Sequence, residues 1–133
     1  APAAEKALLL GEARRGLLPR LQPLLEHREL ALIQAEVPKV RVSDALVDYL
    51  LRLVEATRSQ PQFAWGLSPR ASLALLAAAK AWAFLAGRDY VIPEDIQAVL
   101  PSVVGHRLRE QADPAGHGGG ALVQWLLREV PAL

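Results

Sequence analysis

Residues 66–108 read GLSPRASLALLAAAKAWAFLAGRDYVIPEDIQAVLPSVVGHRL, and this stretch decides the fold. Ser68 is a good N-cap and Pro69 suits the first helical position, which predicts a long helix from Pro69 to Ala86. Gly87 follows as a left-handed stop. Alanine and leucine dominate between these signals, and both are strong helix formers. The stretch therefore predicts a helical domain with this helix at its centre.

An arginine, Arg70, stands in the first turn of the predicted central helix. That turn carries about half a positive charge from the helix dipole, so a cation there gains nothing from its own helix. The position makes sense if the side chain faces an anion such as a phosphate, which free backbone N–H groups at a helix start also attract. A solvated surface arginine is the alternative interpretation.

The whole chain predicts an all-α fold, a single compact bundle of five or six helices over residues 1–133. The other expected elements are a junction helix within residues 1–18, a helix from Pro23 to Glu36, a helix from Asp44 to Thr57 capped by Ser43, a helix from Pro93 that Pro101 could interrupt, a flexible loop at 110–120 and a docking helix at 121–130. Residues 40–42 and 90–92 are short extended pieces that could form one two-stranded β pair.

The apolar spacing predicts which helix faces are buried. In the helix before the central one these are Leu46, Val47, Leu50, Leu53 and Val54, and in the central helix they are Leu73, Leu75, Leu76, Trp82 and Leu85. Phe63 and Trp65 are expected to anchor the intervening loop on the bundle. Because that loop leads into the first turn of the central helix, its packing should set where Arg70 points. Arg58, near a helix C-terminus, is given a structural role.

The composition excludes several classes of protein. Net charge is +1 with acidic and basic residues interspersed, which disfavours nucleic-acid binding. The absence of cysteine excludes disulfides and thiolate metal sites. Charges and prolines break every apolar segment before spanning length, so no membrane insertion is expected.

Catalytic and metal-binding constellations are also missing from the sequence. His27, His106 and His117 have no metal-ligating partner in helical register. Ser68, Ser72 and Thr57 lack a base that could activate them. Glu94 and Asp95 invite a catalytic interpretation, but complementing the dipole of the helix that begins at Pro93 explains them better. We therefore assign no catalytic residue and no metal site.

Residues 40–108 contain several short motifs in a fixed order. Each motif alone is weak evidence, but the set is specific. They are GLSPRA at 66–71, the Ala/Leu-rich helix, GRDYV at 87–91, PED at 93–95 and the pair His106-Arg107, preceded by VSDAL at 42–46, DYL at 48–50 and ATR at 56–58. In this order and spacing they resemble the C-terminal lid of a MoxR-type AAA+ ATPase.

This resemblance implies a function for a longer protein. Its core domain would bind ATP and Mg²⁺ in a hexameric ring, and the lid would close over the nucleotide. Arg70 would be the sensor-2 arginine that contacts the phosphates, with Ser68, Pro69 and Ala71 contributing the helix N-terminus. The implied partners are the lid's own core domain, neighbouring subunits and a von Willebrand-type protein. The implied role is chaperone-like remodelling or maturation of partner proteins in the cytoplasm.

The chain departs from a complete ATPase of this kind. It contains no G-x-x-x-x-G-K-[ST] loop and no strand ending in paired acidic residues. We therefore expect a fragment without its core, which alone does not hydrolyse ATP. The alternative is a stand-alone helical adaptor that binds a protein partner through an apolar surface, and a P-loop encoded upstream of Ala1 would decide between the two.

Overall fold

The computed structural model describes Ala3, Lys6, Leu9 and residues 14–108 and 119–132. Its contacts divide the chain into two units, Ala1–Leu32 and Ile33–Leu133. The α-helices of the described residues are α1 (His27–Glu36), α2 (Asp44–Ser59), α3 (Pro69–Leu85), α4 (Pro93–Val104) and α5 (Gly119–Glu129). Short 3-10 helices occupy Arg14–Arg20, Val37–Lys39 and Gly105–Arg107. Since the described residues form no β-strand, the prediction of an all-α fold is confirmed.

The N-terminal part of the chain differs from the predicted pattern. Most of the junction helix expected within residues 1–18 lies outside the described residues, and Arg14–Arg20 forms a 3-10 helix that includes Pro19. Helix α1 begins at His27 instead of Pro23. The reason is local, because the Glu29 carboxylate accepts a hydrogen bond of 2.8 Å from the backbone N–H of Glu26 and so marks the helix start there.

Helices α2 and α4 bury long apolar side chains in one core. The fully buried members are Leu46, Tyr49, Leu50, Leu53 and Val54 of α2 and Ile96, Leu100 and Val104 of α4. The predicted apolar face of α2 is therefore confirmed, except that Val47 is only half-buried. The Tyr49 hydroxyl accepts a hydrogen bond of 3.2 Å from Gln97 Nε2, so the buried ring keeps a polar partner.

The central helix α3 turns an unexpected face to the core. Its buried residues are Ala71, Leu75, Ala79 and Ala83, whereas Leu73, Trp82 and Leu85 are exposed. The predicted buried face was wrong for these three side chains. Alanine at three of these four positions, 71, 79 and 83, lets α4 approach closely, and this contact is the most extensive between the described helices.

The turn after α3 follows the sequence signals closely. Gly87 adopts a positive φ of 76° and ends the helix, as predicted. The extended pieces around Arg41 and Tyr90 form one isolated parallel β-bridge, with a hydrogen bond of 3.0 Å from Val91 N to the Arg41 carbonyl. Helix α4 continues through Pro101 to Val104, because a proline one turn from the helix end removes a single backbone hydrogen bond.

The C-terminal helix α5 docks on this core, as predicted. Leu122, Val123 and Leu126 are buried. Its start precedes the expected residue 121 by two positions, and the remainder of the predicted loop at 110–120 lies outside the described residues. A membrane-crossing helix, by length and hydropathy, is not found among the described residues.

The loop before α3 is anchored by one aromatic residue instead of two. Phe63 is buried and packs edge-to-face on Trp125, with 5.8 Å between ring centroids and 70° between ring planes. Trp65 is 63% exposed, so its predicted anchoring role was wrong. The chain between Phe63 and the start of α3 is held instead by polar groups of α2.

Candidate functional site

Arg70 occupies the second position of α3, directly after the N-cap Ser68 and the N1 proline. Its side chain is exposed and makes no hydrogen bond or ion pair with any residue that the structure describes. No acidic residue shares the first turn of α3. The structure thus leaves an unneutralised guanidinium at the positive end of a helix, where it can meet an external anion.

The backbone donors of this turn are mostly occupied. Pro69 has no N–H, and the Ala71 N–H donates to Ser68 through both the carbonyl oxygen, at 2.9 Å, and Oγ, at 3.3 Å. The Ser72 N–H donates to the same carbonyl at 3.2 Å. Among the described atoms of this turn, the N–H of Arg70 remains without an acceptor. A phosphate at this helix start would therefore meet one guanidinium and one amide of the same residue.

The residue before the N-cap, Leu67, is held on its amide side by Thr57. The Thr57 Oγ1 accepts a hydrogen bond of 2.9 Å from the Leu67 N–H and donates one of 2.6 Å to the Val54 carbonyl. Thr57 is only 1% exposed, so both bonds lie away from solvent. The hydroxyl therefore ties the last turn of α2 to the chain that enters α3.

The carbonyl side of Leu67 is held by Arg58. Its Nε and Nη2 both donate to the Leu67 oxygen, at 3.1 and 2.9 Å. The predicted structural role of Arg58 is confirmed by these bonds, which join two segments instead of capping α2. Gly66 permits the approach, because a Cβ there would collide with Arg58 Cγ and come within 3.0 Å of Arg58 Cα.

We call Thr57, Arg58, Gly66 and Leu67 the Leu67 clamp. The structural role of Arg58 is predictable from the sequence, whereas the roles of Thr57 and Gly66 are visible only in the structure. The available signal was a threonine at the inward face of the last turn of α2, nine residues before a glycine that precedes a marked helix start. Nothing in the spacing alone pairs those two segments, since the contact is tertiary.

A groove of about 940 Å³ runs between α2 and α3, beside the clamp. Its lining is mainly apolar and includes Val47, Leu51, Leu73 and Leu76, with Asp48 and Glu55 among its charged members. Leu73 and Leu51 are 70% and 53% exposed. The surface next to Arg70 is thus less polar than an ordinary solvated face.

The acidic pair that follows Pro93 has a structural environment. Asp95 accepts two hydrogen bonds from Arg88, of 2.7 and 2.5 Å, and a third of 2.8 Å from the Ile92 N–H. Burial raises the pKa of Asp95, but the hydrogen bonds from Arg88 and Ile92 outweigh it, so the pKa lies below its ordinary value of 3.8. The prediction that Asp95 supports its helix start is confirmed. Its ion pair with Arg88 was not predicted from the sequence.

The remaining candidates offer no assembled chemistry. His106 and Arg107 are exposed and lie against each other, with 3.2 Å from Arg107 Nε to His106 Nε2. His117 lies outside the described residues. Within the described ranges no three His, Cys, Asp or Glu side chains come together as a metal site. Among the site residues predicted from the sequence, Arg70 is the one with an exposed guanidinium that has no partner among the described residues.

Comparison with known proteins assigns a family to this arrangement. Residues 55–124 match the family model described as the AAA lid domain. The match includes the Leu67 clamp, Arg70, α3 and α4. It therefore covers the motifs from ATR at 56–58 to the pair His106-Arg107, whereas VSDAL at 42–46 and DYL at 48–50 precede it.

Three curated relatives match larger parts of the chain. Chaperone MoxR1 of Mycobacterium tuberculosis is 42% identical over 68% of this chain, and protein MoxR of Paracoccus denitrificans is 33% identical over 75%. The uncharacterised protein YeaC of Bacillus subtilis is 37% identical over 83% of the chain. The chain spans only 26%, 32% and 34% of the length of these three proteins, respectively.

A solved structure supports the same assignment. The crystal structure of a candidate ATPase from Cytophaga hutchinsonii aligns with 83% of this chain at a TM-score of 0.74 and 32% identity, and the chain covers 37% of that protein. The helical order, the position of the motifs and these likenesses agree. The chain belongs to the AAA lid domain family and is a lid of the MoxR type of AAA+ ATPase.

Proposed function

We propose that this chain is the lid of a MoxR-type ATPase and that Arg70 contacts the phosphates of ATP bound by the core domain. The observation that carries the proposal is the exposed, unpaired guanidinium in the first turn of α3, within the part of the chain that matches the lid family. Membership of the lid family supports ATP as the ligand of the longer protein. The structure provides an exposed cation that has no acceptor among the described residues.

ATP and Mg²⁺ fit this proposal only through a second domain. The bound nucleotide supplies the polyphosphate charge that a lid arginine can sense, and Mg²⁺ is held by groups that this sequence lacks. What the chain provides is one guanidinium and the Arg70 N–H, both directed by a helix whose dipole favours an anion at that end. Loss of the terminal phosphate would weaken this contact and let the lid change its position relative to the core.

We propose the purpose of this lid movement from the names of the relatives. One of them is named a chaperone, which supports remodelling or maturation of partner proteins as the purpose of the whole ATPase. The exposed apolar groove between α2 and α3 is consistent with a lid that contacts its core domain or a neighbouring subunit in a ring. A von Willebrand-type partner remains an expectation from the family.

Substitution of Arg70 tests the proposal in the longer protein. Loss of one charged hydrogen bond in the transition state predicts that Arg70→Ala lowers ATP turnover about 10- to 100-fold. Arg128→Ala is the matched control, because Arg128 is an exposed arginine on α5 that pairs with Glu129. Its turnover should stay within about twofold of the wild type. Equal turnover of Arg70→Ala and wild type would show that Arg70 is not a phosphate sensor.

Binding to the 133-residue chain gives a second measurement. We expect titration with ATP–Mg²⁺ to shift the NMR signals of Leu67 to Ala71 and the Arg70 side chain weakly, because the core supplies most of the affinity. In the Arg70→Ala variant these shifts should disappear. Shifts spread over the whole chain would indicate unspecific association instead.

A further inference from the structure

We infer that the Leu67 clamp is a positioning device for Arg70, with Thr57 and Arg58 as positioning residues for the phosphate contact. The inference rests on the proposed function and adds residues to it. Thr57 and Arg58 hold the two backbone polar groups of Leu67, three residues before Arg70. The clamp therefore fixes the chain at the point where α3 begins.

The physical need for such a device follows from the local geometry. A guanidinium at the end of a long side chain has many rotamers, and its backbone lies in a first helical turn, where helices fray. The Ser68 cap orders this turn from within, but a cap alone does not fix the helix start relative to the rest of the domain. Thr57 and Arg58, at the end of α2, make that connection through hydrogen bonds to Leu67, the residue before the Ser68 cap.

Burial makes the connection stiff. Thr57 is 1% exposed and the Leu67 side chain is 4% exposed. If the threonine hydroxyl is removed, the Leu67 N–H is left buried without an acceptor, which is more costly than losing a solvated hydrogen bond. Gly66 lets the two segments touch, because a side chain there would force Arg58 away. The buried Thr57 hydroxyl and the close contact at Gly66 therefore both resist a shift of the α3 start.

The first experiment tests the clamp itself in the 133-residue chain. Thr57→Val keeps the shape and removes the hydroxyl, whereas Thr57→Ser keeps the hydroxyl and removes a methyl group. We expect amide hydrogen exchange at Leu67 to accelerate about tenfold or more in Thr57→Val and much less in Thr57→Ser, with exchange at Ala79 inside α3 unchanged. Unchanged exchange at Leu67 in Thr57→Val would overturn the inference.

Ser59→Ala is the matched control for this exchange measurement. The Ser59 hydroxyl also bonds a backbone carbonyl in the last turn of α2, that of Glu55 at 2.9 Å, but it does not contact Leu67. Exchange at Leu67 should therefore stay as in the wild type. Arg58→Gln serves as a second clamp variant in case Thr57→Val folds poorly, because it removes the guanidinium that holds the Leu67 carbonyl.

The second experiment asks whether the clamp acts through Arg70. In the longer protein with its core, Thr57→Val should lower kcat/KM for ATP about tenfold, and Thr57→Ser should restore most of the loss. In an Arg70→Ala background, Thr57→Val should cause no further decrease, since the group that it positions is gone. An equal decrease in both backgrounds would overturn the inference, because the clamp would then act without Arg70.

The outcomes separate this inference from the proposed function. If Arg70→Ala leaves turnover unchanged, the phosphate contact is wrong and the positioning role fails with it. If Arg70→Ala lowers turnover and Thr57→Val does not, the phosphate contact stands and only the positioning role is refuted. Circular dichroism of every variant checks that the fold is retained before either comparison is made.

Discussion

The stability of Gly66→Ala follows directly from the close approach of two backbone segments. A Cβ at Gly66 would meet Arg58 Cγ, Cα at 3.0 Å and Cβ at 3.1 Å. The Arg58 side chain can rotate, but its Cα belongs to the end of α2 and moves only with the helix. Overpacking of this kind typically costs about 1–3 kcal/mol, and the backbone contact places Gly66→Ala in the upper half of that range, at about 2–3 kcal/mol.

The assay is urea unfolding followed by circular dichroism, with the free energy taken from the midpoint at an unchanged m-value. For a chain of this size a loss of about 2–3 kcal/mol corresponds to a fall in Tm of roughly 8–12 °C. The m-value matters, because a changed slope would mean that the variant alters the compactness of one state instead of its packing.

Gly120→Ala is the matched control, and Gly87→Ala adds a second mechanism. Gly120 lies in α5 with open space around its Cα, so alanine should stabilise the helix by up to about 1 kcal/mol. Gly87 also has open space but a φ of 76°, so alanine should cost about 1–2 kcal/mol through backbone strain. The expected order of stability is Gly120→Ala, wild type, Gly87→Ala and Gly66→Ala. A Gly66→Ala variant as stable as the wild type would refute the close packing at the α3 start.

Three further substitutions test separate parts of the structure. Asp95→Asn should lower Tm by about 5 °C at pH 7 through loss of a charged hydrogen bond to Arg88. Since the pKa of Asp95 is lowered in the folded state, this stabilisation is present above the unfolded pKa near 3.8 and is lost as pH falls through the lower folded pKa, so the Tm difference should disappear in strong acid. Arg70→Glu should stabilise the isolated chain by up to about 1 kcal/mol, because a carboxylate suits the start of α3, and a lower Tm would contradict this. Phe63→Ala should cost about 3–4 kcal/mol in urea unfolding through loss of its packing on Trp125, and a cost below about 1 kcal/mol would show that this contact is not part of the core.

The starts of α2 and α3 and the end of α3 were predictable because their signals are local. Ser43 and Ser68 cap α2 and α3, with hydrogen bonds of 3.2 and 3.3 Å from the third residue beyond each. Gly87 ends α3 through a conformation that other residues rarely adopt. In each position the responsible atoms lie within one helical turn in sequence. A chemical rule that covers one turn is therefore sufficient to predict these helix boundaries.

The buried face of α3 was not predictable by the same means. The helix is apolar nearly all round, so hydrophobic periodicity does not identify one face. The buried face is decided by the short distance between α3 and α4, which only the small side chains of Ala71, Ala79 and Ala83 allow. Leucines at other positions then remain outside, and Leu73 lines the groove. Helix packing is a property of two elements, whereas the sequence pattern describes one.

The candidate site was predictable in part for a related reason. Arg70 was identified from the charge of one turn and from the family motif, both readable in sequence. The Leu67 clamp joins residues nine and ten positions apart through a turn whose path depends on the burial of Phe63. A threonine hydroxyl can bond its own helix, a neighbouring loop or water. The fold determines which of these acceptors and donors is present.

The charge at the start of α3 is best understood against the other described helices. Glu29 in α1, Asp44 in α2 and the pair Glu94 and Asp95 in α4 place acidic residues in first turns, as the dipole favours. Helix α3 has a cation there instead, at a cost to the isolated domain of a few tenths of a kcal/mol to about 1 kcal/mol. A cation in a first turn that holds no acidic residue breaks this local rule, and such an exception is typical of a functional residue. An external phosphate would reverse the sign of that cost, because the anion would interact favourably with both the guanidinium and the helix dipole. Under the proposed phosphate contact, the same turn would be less stable without nucleotide than with it, and the position of the lid would then depend on what its core has bound.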